Sequence, residues 1–62
     1  MDNELLIKEL GSGILSPDAI RAIGLDVSYY LLYEALSPEA QAISRLKIAD
    51  YLREKARLEA LQ

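Results

Sequence analysis

Apolar positions in this 62-residue chain fall into four clusters separated by short polar breaks. In the first, Leu6 and Leu10 lie one turn apart on one helical face, with Leu5 beside them. Asn3 or Asp2 is placed to cap the segment and Glu4 sits at its positive end, which predicts a helix over 4–10. Gly11-Ser12-Gly13 closes it. A glycine just past a helix takes the left-handed conformation cheaply, and a second glycine makes the joint a hinge.

After Ile14 and Leu15, Ser16-Pro17-Asp18 joins a serine N-cap to a proline at the first helical position. A short helix over 17–23 follows, stopped by Gly24. The third cluster, 27–36, has Asp26 or Ser28 available as a cap, and only Ser28 and Glu34 in it are strongly polar. A helix that is apolar all round is buried all round, and so short a chain has too little mass to cover it on every side. Ser37-Pro38-Glu39 repeats the Ser-Pro-acid start. It opens a helix over 38–61, about 36 Å long, with no glycine and no internal proline. The expected fold is therefore all-α, three short helices followed by one long C-terminal helix. It forms a single small domain over 1–62, with 1–10 as an N-terminal helix on the glycine hinge, and it is oligomeric.

The two Ser-Pro starts lie 21 residues apart. Leu15, Ser16, Pro17 and Ala19 align with Leu36, Ser37, Pro38 and Ala40, and Leu25, Tyr30 and Leu31 align with Leu46, Tyr51 and Leu52. Gly24 interrupts one copy where the other is continuous helix. Two helices capped alike account for the match better than a duplication does.

Composition narrows the function classes. An apolar fraction of 52% excludes a disordered chain, and twelve Leu, six Ile and eight Ala against a single Val favour helix over strand. The chain sits in the size range where a lone core is marginal. Without cysteine there is no disulfide framework, and without cysteine or histidine the usual ligands of zinc, iron–sulfur and haem sites are missing, as are the usual catalytic triads. No catalytic, cofactor or metal residue is assigned, and a non-catalytic protein is expected.

Net charge is −3, which does not suit a polyanionic partner. The charge is uneven: residues 1–44 hold seven acids against two bases, residues 45–62 five bases against three acids. The acidic start is opposite to a signal peptide, and no run approaches the ~18 apolar residues of a membrane span. An intracellular, cytoplasmic protein is expected.

Two patterns point to association. Ala42, Ala49 and Ala56 recur every seven residues, flanked by Leu46 and Ala60 and bordered by Ile43 and Leu52. Small residues at a fixed heptad position let two helix backbones approach closely, as a self-association seam between antiparallel copies would need, or as packing within the chain would. A second apolar strip, Ile48, Tyr51, Leu52 and Leu58, lies on another side. All four aromatics are tyrosines, which pair contact area with one polar tip and suit interfaces. Tyr29, Leu32, Tyr33, Leu36, Ala42, Leu46, Ala49, Leu52 and Ala56 are the expected protein-interface residues.

Other chemistry is weaker. Residues 19–28, with Gly24 in the turn, have the layout of a helix-turn-helix, which makes a small DNA-binding regulator the alternative function. The second helix, however, offers no Arg, Lys, Asn or Gln to base edges and carries Glu34. Gly11-Ser12-Gly13 lacks the lysine and preceding strand of a phosphate loop. Asp50 and Glu54 are read as ion-pair partners on an exposed helix rather than an acid–base couple. The basic stretch 45–57 is too rich in acids for a membrane-surface helix. The expected function is a protein-interaction module, a regulator, adaptor or assembly factor of a larger complex such as a virus particle. It would act by self-association and docking of apolar helix faces.

Overall fold

The computed structural model describes residues 3–61 and is all-helical, with no strand among them. Four helices follow in order: α1 (Asn3–Gly11), α2 (Pro17–Ile23), α3 (Ser28–Glu34) and α4 (Pro38–Ala60). None is long and apolar enough to cross a membrane.

The helix starts are set by side-chain chemistry. The Ser16 hydroxyl accepts from the Ala19 amide at 3.1 Å, and Ser37 accepts from the Ala40 amide at 3.2 Å. Each serine satisfies an amide that the first helical turn leaves without a partner, and each is followed by a proline preset for that turn. At α3 the cap is Asp26, whose carboxylate accepts from the Ser28 amide at 2.8 Å. That hydrogen bond favours the charged form and holds the Asp26 pKa below the ordinary carboxylate value. Asn3 is the first residue of α1, and Asp2, the other cap candidate there, lies outside the described residues.

Two helix ends close on left-handed glycines. At α1 the Ile14 amide donates to the Glu9 carbonyl and the Gly13 amide to the Leu10 carbonyl. At α2 the Leu25 amide donates to Ile20 and the Gly24 amide to Arg21. Both form the paired Schellman pattern around a residue of positive φ, +94° at Gly13 and +96° at Gly24. The Gly11-Ser12-Gly13 joint is closed by these hydrogen bonds, and Gly11 is still helical.

The core gathers Leu6 and Leu10 of α1, Leu15, Ala19, Ile20 and Ile23 around α2, Tyr33 of α3, and Ile48, Ala49 and Leu52 of α4. Leu6, Ile20 and Leu52 are fully enclosed, which is worth ~1.5–3 kcal/mol each. The most extensive packing is α1 along α4; α2 and α3 close the remaining side. No described residue after Leu52 is buried. At 23 residues α4 runs about 34 Å, close to the 37 Å long axis of the molecule, so its last two turns stand clear of the other helices as an arm.

Candidate protein-interaction surface

In α3, Tyr29, Tyr30 and Tyr33 turn toward the body. Tyr33 is the buried one. Its hydroxyl accepts a 2.7 Å hydrogen bond from Arg45 Nη1, and its backbone carbonyl accepts from Gln41 Nε2 at 3.0 Å. These two bonds fix the rotation of α3 on α4. The Tyr30 ring stacks on Tyr33 with centroids 6.4 Å apart, and the neighbouring Glu34 carboxylate, accepting from the Tyr30 hydroxyl, pushes its pKa up.

With the tyrosines inward, the leucines face outward. Leu31 and Leu32 are each 67% exposed, flanked by exposed Val27 and Leu36. The segment 27–36, too apolar for so short a chain to cover on every side, is covered on one side and bare on the other. Covering a large apolar side chain is worth ~1.5–3 kcal/mol, and Leu31 and Leu32 forgo most of it here.

The expected interface residues divide into two groups. Leu32, Leu36, Leu46 and Ala56 are exposed, and Tyr29 and Ala42 are half-buried. Tyr33, Ala49 and Leu52 are closed inside the chain's own core. The heptad alanines therefore do not make one open seam. Ala49 is 4% exposed and shares the cluster with Leu6 and Leu10, because α1 lies along that face of α4. A glutamate at position 49 would disrupt the fold rather than report on association.

A further concavity draws on α2, α3, α4 and the loop after α2. Ile23, Leu25, Tyr29, Lys47, Ile48 and Tyr51 line an open, almost wholly apolar groove of about 240 Å³. A second hollow of about 220 Å³ continues it along the arm between Tyr51 and Leu58, edged by Glu54, Lys55 and Glu59. Ile48, Tyr51 and Leu58 are legible in the sequence as one strip. The wall formed by Leu25 and Tyr29 is not, since only the tertiary fold brings it there.

Asp50 pairs with Arg53 at 3.1 Å, Asp18 with Arg21 at 3.4 Å, and Glu54 with Arg57, all three residues apart on exposed helix faces. Glu54 raises the Arg57 pKa further above its already high value. No group of three or more His, Cys, Asp or Glu able to hold a metal occurs among the described residues. In the helix-turn-helix layout the exposed residues of α3 are Ser28, Leu31, Leu32 and Glu34, a set without the Arg, Lys, Asn or Gln that read base edges bidentately.

The chain matches no protein-family model, no curated protein and no solved structure.

Proposed function

We propose that this protein is a non-catalytic interaction module, a small regulator, adaptor or assembly factor that docks apolar helix faces on a protein partner and on itself. The observation that supports it is the outer face of α3, where Leu31 and Leu32 are bare between exposed Val27 and Leu36. Isolated exposed leucines are ordinary, but a contiguous apolar helix face rimmed by polar residues marks an interaction site. Tyr29 and Tyr33 hold α3 rigid beneath it, so binding costs little ordering.

The test is affinity capture from the source cell with the wild-type chain and the Leu31→Glu/Leu32→Glu double variant. Both positions are exposed, so the variant is expected to keep the wild-type circular dichroism spectrum and to lose the captured partner. Equal capture by both proteins, or none by either, would refute the module.

A further inference from the structure

We infer that a second copy of this chain covers the Tyr51–Leu58 flank of α4, in an antiparallel pair where the arm of each copy lies in the groove of the other. The inference deepens the module proposed above and rests on it. It begins from a mismatch along one helix. Near Tyr51 the flank is walled by Ile23, Leu25 and Tyr29 into a groove, while near Leu58 the shallow hollow on the same flank is lined by α4 alone. One half is a groove built by several elements without a filler, and the other is a bare helix flank that no other element covers.

Tyr51 and Leu58, seven residues apart, share a face of α4. A two-fold axis between Glu54 and Lys55 sets Tyr51 of each copy level with Leu58 of the other. The bare flank of each copy then lies over the walled groove of the other. A parallel pair would instead place groove against groove and bare flank against bare flank.

Charge selects the same orientation. The body, 3–52, carries seven carboxylates against four cations, net −3; the arm, 53–61, carries three cations against two carboxylates, net +1. Antiparallel packing lays each cationic arm along an anionic body, and parallel packing sets body beside body. Among the described residues, Lys47, at the groove wall, and Glu59, on the arm, have no ion-pair partner, so each can meet a charge on the other copy.

Surface area agrees. The molecule exposes 4413 Å², where a compact chain of its mass exposes about 4000 Å². A standard interface takes roughly 800 Å² from each partner, under a fifth of that exposed surface.

The chain has no cysteine, so introduced thiols report pairing cleanly. Sedimentation equilibrium of the full chain at micromolar concentration is expected to give twice the 6.9 kDa monomer mass. Leu58→Glu is expected to weaken the dimer by at least about tenfold with an unchanged circular dichroism spectrum. In an oxidised equimolar mixture of Tyr51→Cys and Leu58→Cys chains, the mixed disulfide should exceed both homodisulfides.

A monomer at every concentration overturns the inference, as does a dimer indifferent to Leu58→Glu or one that favours the two homodisulfides. A dimer lost on Leu31→Glu/Leu32→Glu but kept on Leu58→Glu removes this surface alone. Partner capture by α3 in a monomeric chain likewise leaves the module standing.

Discussion

Tyr33 is the residue that decides which side of α3 is covered. Hydropathy alone would turn Leu31 and Leu32 inward, yet the tyrosine is buried and both leucines are bare. The difference is the pair of hydrogen bonds from Gln41 and Arg45, which a leucine side chain could not replace at the hydroxyl. The sequence shows four tyrosines suited to contact, but the rotation of α3 is set by partners eight and twelve residues away. Tyr33→Phe keeps the ring and removes only the bond from Arg45. The expected loss is about 0.5–1.5 kcal/mol in urea unfolding, toward the low end because Arg45 retains contact with solvent. The leucines should become less exposed in that variant if α3 rolls, a change readable as slower hydrogen exchange around Leu31.

Among elements, the legible ones are those with chemical punctuation. Ser16-Pro17 and Gly24 bound α2 where the sequence reading places it, and Ser37-Pro38 starts α4. Expected at 27–36, α3 is shorter, Ser28–Glu34, because no cap or glycine marks its end and the chain must bend before Ser37. Partner choice was not legible at all. The Ala42–Ala49–Ala56 spacing identifies a small-residue face, but periodicity names no neighbour, and α1 takes the middle of it. The two serine caps give a paired prediction. Ser16→Ala and Ser37→Ala should each cost about 1 kcal/mol. In the seven-residue α2 the loss should lower amide protection along the whole helix, whereas in the 23-residue α4 it should stay within the first turn. Hydrogen exchange resolved by residue separates the two.

At the scale of the whole molecule, body and arm differ in what they contribute. Every described buried residue lies between Leu6 and Leu52. A chain ending at Arg53 should therefore keep its cooperative thermal transition, with a melting temperature within a few degrees of the full chain, while losing the pairing proposed for the arm. A noncooperative melt would show that the arm stabilises the body after all. The core's first and last members also set a schedule on the ribosome. Leu6 emerges 46 positions before Leu52, and at ~5–20 residues per second that is a wait of about 2–9 s. Through that interval the first helix has no complete α4 to lie on, so the nascent chain is most prone to clump until Leu52 has followed, and a slow codon run ahead of Leu52 would lengthen the danger.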